Sequence, residues 1–114
     1  MISSDFMRGY NDIIILSILN EGESYVYVIS KTIYERSKER YLIKETTLYS
    51  AFTRLEKNGY IESFDKTDFT MGSKRVYYRI TNEGKQLLKE KQIEWVHTYQ
   101  VIDEFLGGEK WWIK

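Results

Sequence analysis

The chain has 114 residues, with no cysteine, no proline, and 17 basic against 17 acidic side chains. That length suits one small domain, and the missing cysteines exclude a disulfide framework, a thiolate metal site and a cysteine nucleophile. At zero net charge, any affinity for nucleic acid must come from a local patch.

Hydrophobic residues make up 42%, a globular composition. The longest aliphatic run, Ile13 to Leu16 continued by Ile18 and Leu19, is far short of the about 20 residues a membrane span needs. Asp5 and Arg8 precede it without a small-residue cleavage site, so no signal peptide is expected. The expected location is the cytoplasm.

Taken in chain order, Arg8 to Asn20 predicts a buried helix. The β-branched run would also suit a strand, but its length and the Glu21-Gly22 stop favour helix. Ser24 is expected to cap a second helix, in which Tyr25, Ile29 and Ile33 recur at i, i+4 and i+8. Basic residues crowd its end, as suits a helix C-terminus. Tyr41-Leu42-Ile43 reads as a short apolar link. A third helix opens at Glu45-Thr46-Thr47, buries Leu48, Ala51, Phe52 and Leu55, and closes at Lys57-Asn58-Gly59, where Asn58 or Gly59 takes the left-handed conformation.

Two strands follow, Tyr60 to Phe64 and Arg75 to Ile80. The second alternates, with Val76, Tyr78 and Ile80 on one face and Arg75, Tyr77 and Arg79 on the other. A polar hairpin loop, Asp65 to Lys74, joins them. Thr81 should cap the last helix, which runs to about Leu106. Leu88, Trp95, Tyr99, Ile102 and Leu106 form a heptad seam along it, the signature of a helix–helix interface. Gly107-Gly108 ends it, and a tail carries Trp111 and Trp112.

Helix, helix, helix, strand, strand, helix is the order of a winged helix-turn-helix with an added C-terminal helix. The expected fold class is α+β, mainly α. Residues 1–81 would form the winged helix-turn-helix, and 82–114 a dimerisation helix and tail.

The third helix turns hydroxyls and cations outward: Thr46, Thr47, Tyr49, Ser50, Thr53, Arg54 and Lys57. Such groups near a helix N-terminus suit phosphate and base-edge contacts. Lys74 and Arg75, at the end of the hairpin loop, suit the sugar–phosphate backbone. From Lys31 to Lys57 cations outnumber anions seven to four, whereas the last helix is acidic. Two copies of that helix crossing near Trp95 and Tyr99 would face aromatic rings across a gap, which suits a planar aromatic small molecule as well as plain dimer packing. A single histidine, His97, makes no metal site. No phosphate-binding glycine loop or nucleophile pattern is present, so no cofactor and no enzymatic activity are expected.

Three motifs together resemble the PadR-type transcriptional regulators. The first is Met7-Arg8-Gly9-Tyr10-Asn11-Asp12 leading to Leu16, ahead of Glu21 to Ile29. The second is Ile43 to Phe52 with Arg54-Leu55-Glu56-Lys57-Asn58-Gly59-Tyr60-Ile61. The third is Gly72 to Thr81 with Glu83-Gly84. They cover about residues 7 to 84.

The resemblance implies a dimeric winged-helix repressor of the short type. Its third helix would enter the major groove and its wing would track phosphates. Some short members stack planar aromatics against a tryptophan of the last helix, a position that Trp95 matches in kind. Where the family usually carries Gly-Thr-Leu-Tyr-Pro, Thr46 and Ser50 stand in place of the Gly and the Pro. The wing also lacks the longer arginine run often seen in the family.

The implied partners are double-stranded DNA, a second copy of the chain and a small aromatic effector, with no membrane. Two alternatives stay open. One is a winged-helix protein-interaction module without specific DNA binding. The other is a small-molecule binding protein that has lost its DNA role.

Overall fold

The computed structural model describes residues 2–68 and 73–108. Its elements are α1 (Ser4–Met7), α2 (Asn11–Glu21), α3 (Val26–Arg36), α4 (Glu45–Lys57), β1 (Ile61–Asp68), β2 (Ser73–Ile80) and α5 (Asn82–Leu106). The Trp111-Trp112 tail and the tip of the hairpin lie outside the described residues.

Apolar periodicity sets the core. Ile15, Leu16 and Leu19 of α2 meet Ile29 and Ile33 of α3, the α4 stripe Leu48, Ala51, Phe52 and Leu55, and Ile61 at the root of β1. The stripe on α4 is the predicted one, and truncating any of its large members should cost about 2–5 kcal/mol. Gly59 ends α4 at φ +78°, a left-handed turn that glycine takes without Cβ strain.

The core extends into α5. Leu88, expected on the heptad seam, is buried among the chain's own core residues instead. The chain's own core thus takes the start of α5, and the exposed part of the seam begins at Trp95.

Among the described residues, one buried polar residue, Asn11, lies inside this apolar interior. Its Oδ1 accepts a 2.6 Å hydrogen bond from the Tyr41 hydroxyl. This bond pins the α3–α4 connection to the start of α2. Burial pushes the Tyr41 hydroxyl above its ordinary value of 10.0 and outweighs the opposing hydrogen bond. The raised folded-state value means that stability is fully present below pH 10 and falls as pH rises through the folded value. In a melting series from neutral to strongly alkaline pH, the midpoint should decline beyond pH 10. Tyr41→Phe should decline less steeply. It should also start lower at neutral pH, because Asn11 loses its buried partner, at about 1–3 kcal/mol.

Several boundaries differ from the sequence reading. The first long helix begins at Asn11, not Arg8, and the short α1 precedes it, capped by the Ser3 side chain, which accepts from the Phe6 N–H. Ser24 does not cap α3. Its backbone is engaged in a two-way bridge with Tyr78, with Ser24 N–H donating to the Tyr78 carbonyl at 3.1 Å and Tyr78 N–H to the Ser24 carbonyl at 2.7 Å. Tyr25 takes the cap position without a side-chain bond. The strands run on to Asp68 and start at Ser73, beyond the expected ends, in the register Ile61↔Ile80 through Asp68↔Ser73.

Thr81 caps α5 as expected. Its hydroxyl accepts from Gly84 N–H at 3.0 Å and donates to the Gly59 carbonyl at 2.6 Å. One side chain therefore ties the end of α4 to the start of α5.

Candidate nucleic-acid interface

On α4 the core stripe fixes which residues face out. Thr46, Ser50, Thr53 and Lys57 follow one another at i, i+4, i+7 and i+11, and all are exposed. Tyr49 flanks this line, 49% exposed. Thr47 is half-buried. The helix thus brings a row of small hydroxyls, ending in a cation, to a single face.

Arg54 is engaged within the chain. Its Nε donates to Asp12 Oδ2 at 3.2 Å and its Nη2 to Asp12 Oδ1 at 2.5 Å. These bonds raise the Arg54 pKa above its ordinary value and tie α4 to the first turn of α2. The partner is 42 residues away in sequence, so no local pattern announces it.

The hairpin places Lys74 opposite Thr67, and Arg75 opposite Lys66. Lys74 is exposed. Arg75 is half-buried, its guanidinium carbon 4.5 Å from the centre of the Tyr25 ring. Lys66 lies 4.9 Å from the Tyr77 ring centre, and Arg79 4.6 Å from that of Phe64. Three cations thus stack over three rings on one face of the ribbon, each stack contributing about 0.5–1 kcal/mol at exposed sites.

Lys66, absent from the predicted site, belongs to this cationic end. Like charges directly opposite one another repel, and Glu23 offsets part of that repulsion with a 2.8 Å bond that raises the Lys66 pKa. The residue was hidden by the strand boundary, because an ordered β1 past Phe64 is what sets it against Arg75.

The helix α5 packs on α2 and shares a groove with α1. Trp95 meets Tyr10 edge-on, with ring centres 5.3 Å apart and planes at 83°, and Tyr99 lies 6.1 Å from Trp95. Phe6, Met7, Tyr10, Ile13, Trp95 and Ile102 line an almost wholly apolar groove of about 480 Å³. Tyr99 stands beside it rather than in its wall. Past Trp95, exposed apolar side chains occupy several sides of α5: Val96, Tyr99, Val101, Ile102, Phe105 and Leu106. Among the described residues, no helix is long and apolar enough to cross a membrane.

Known proteins share this architecture. The model of the transcriptional regulator PadR-like family matches residues 15–90. A transcriptional regulator from Clostridium thermocellum is 57% identical over 92% of this chain and 98% of its own, with a TM-score of 0.84. A PadR family transcription regulator from Clostridium difficile is 38% identical over 85% of this chain and 98% of its own, with a TM-score of 0.74. An uncharacterized protein of Lysinibacillus sphaericus is 44% identical over 95% of this chain and 98% of its own.

Proposed function

This chain belongs to the PadR-like family of transcriptional regulators, and from that premise we propose that it is a homodimeric, DNA-binding repressor. In this reading, α4 enters the major groove of each half of a pseudo-palindromic operator, with half-sites about 34 Å apart. The observation that carries the proposal is the row Thr46, Ser50, Thr53 and Lys57, exposed together along a helix whose opposite face is fully buried. Tyr49 and Thr47 border the row. Lys74 and Arg75 hold the flanking backbone, with Lys66 beside them. Arg54, held by Asp12, positions α4 and reaches DNA only by exchanging its partner.

The second copy covers the apolar part of α5 through Trp95, Tyr99, Ile102 and Leu106. A planar aromatic molecule is the effector that the α1–α2–α5 groove favours. Its volume falls in the range of small-molecule sites, and the Trp95 ring forms part of its wall. Such a ligand regulates only if it binds the free and DNA-bound states differently.

The test is fluorescence anisotropy of a labelled duplex from upstream of the gene, against a shuffled duplex, across a salt series. Preferential and salt-steep binding to the upstream duplex is expected. Weak or equal binding to both would favour a protein-interaction module instead. In the double variant Lys74→Ala, Arg75→Ala, the slope of log affinity against log salt should flatten by about one to two units, near 0.9 for each phosphate left without its cation. An unchanged slope would mean that neither residue holds the DNA backbone. Quenching of Trp95 by planar aromatics, with Trp95→Phe as the control for Trp111 and Trp112, tests the effector.

A further inference from the structure

On the side of the molecule assigned to DNA, the first turn of α4 carries one acidic side chain, Glu45. Asp12, Glu21, Glu23, Glu35 and Glu62 each pair with a lysine or arginine, and Glu56 accepts from the Ser63 hydroxyl. Glu45, the first residue of α4, is exposed and has no such partner among the described residues. It borders a cleft of about 260 Å³ between the first turns of α3 and α4. Val26, Ile43 and Leu48 give that cleft an apolar floor, and Tyr27, 65% exposed, stands at its rim with Tyr49.

We propose that Glu45 reads a base: in each half-site its carboxylate accepts a hydrogen bond from the exocyclic N4 amino group of a cytosine, whose C5 edge lies over the apolar floor. This rests on the DNA-binding reading above. A carboxylate repels phosphate, so a backbone contact does not account for an unpaired acid at this place. In the major groove it needs a donor. Cytosine offers N4–H₂ beside an apolar carbon edge, whereas thymine offers the O4 acceptor and guanine the O6 and N7 acceptors. Adenine pairs its N6 donor with an N7 acceptor that a carboxylate disfavours. The position also fits, because recognition helices contact base edges with their N-terminal residues. A first-turn acid also complements the helix dipole, but that role gives no base preference.

The experiment is selection from a randomised duplex library with the full-length chain, in parallel with Glu45→Ala and Glu45→Gln. The unaltered protein should enrich a cytosine at one position of each half-site, and a C·G to T·A exchange there should weaken it about tenfold or more. Glu45→Ala should accept any base at that position, and should bind all duplexes somewhat more tightly because a charge near the phosphates is gone. Glu45→Gln should move the preference toward adenine, whose N6 and N7 a glutamine amide matches. If both variants enrich the same sequence as the unaltered protein, the assignment of Glu45 is overturned while DNA reading stands. If the unaltered protein enriches no sequence at all, both fall.

Discussion

Gly84→Ala should melt roughly 10 °C below the unaltered protein. A Cβ at Gly84 would lie 2.1 Å from the Tyr60 carbonyl oxygen and 2.7 Å from Ile80 Cγ1. The first of these is backbone and cannot rotate aside. It also accepts the Thr81 N–H at 3.1 Å, so shifting it disturbs the junction where α4, the wing and α5 meet. Overpacking of this kind costs about 3 kcal/mol at the upper end of its usual range, and a core of this size has little to spare. Gly9→Ala is the control, since a Cβ there meets nothing within 4 Å. Thermal denaturation followed by circular dichroism reads both. Equal midpoints for the two variants would mean that the turn before β1 slides away at little cost.

Ile102→Glu should leave the protomer folded and abolish its self-association. Ile102 is 47% exposed in the single chain, and substitutions at such positions usually change protomer stability by no more than about 0.5 kcal/mol. The same position lies on the proposed seam, one turn from Tyr99, where a second copy would bury the new carboxylate without a partner. Leaving a charge buried and unpaired costs about 3–5 kcal/mol, and symmetry places two such charges at one interface. Sedimentation velocity should give a dimer for the parent and a monomer for the variant, and operator affinity should fall with it. A variant that remains dimeric would place the interface elsewhere on the chain.

The most legible part of the fold was α4. Its amphipathic period is local, and Leu48, Ala51, Phe52 and Leu55 are buried as that period requires. Thr81 was legible for the same reason, because a cap and its N–H lie three residues apart. The features that escaped depend on distant partners. Ser24 looks like a cap until Tyr78 takes up its backbone. Arg54 looks free until Asp12 is brought beside it. Leu88 fits the heptad seam, yet periodicity does not distinguish burial against one's own chain from burial against another. The four-residue α1 has no fully buried residue, so no apolar pattern marks it. On the candidate interface, hydroxyls and cations are legible as candidates by residue type, whereas an acid such as Glu45 has the wrong sign for phosphate and gives no such signal.

The bridge between Ser24 and Tyr78 has a mechanical consequence. It joins Ser24, two residues before α3, to Tyr78 of β2, and the Tyr25 ring against Tyr77, with centres 5.1 Å apart, reinforces the joint. The helical pair and the ribbon are therefore tied at one opening, like the jaws of a caliper. If the proposed docking holds, with α4 in one groove and the ribbon on the neighbouring backbone, movement of one jaw would carry the other with it. Sequences whose groove width already matches the gap would then bind at no deformation cost, and stiffer or wider ones would have to bend to fit. Base pairs that no side chain touches would then still affect the choice of operator.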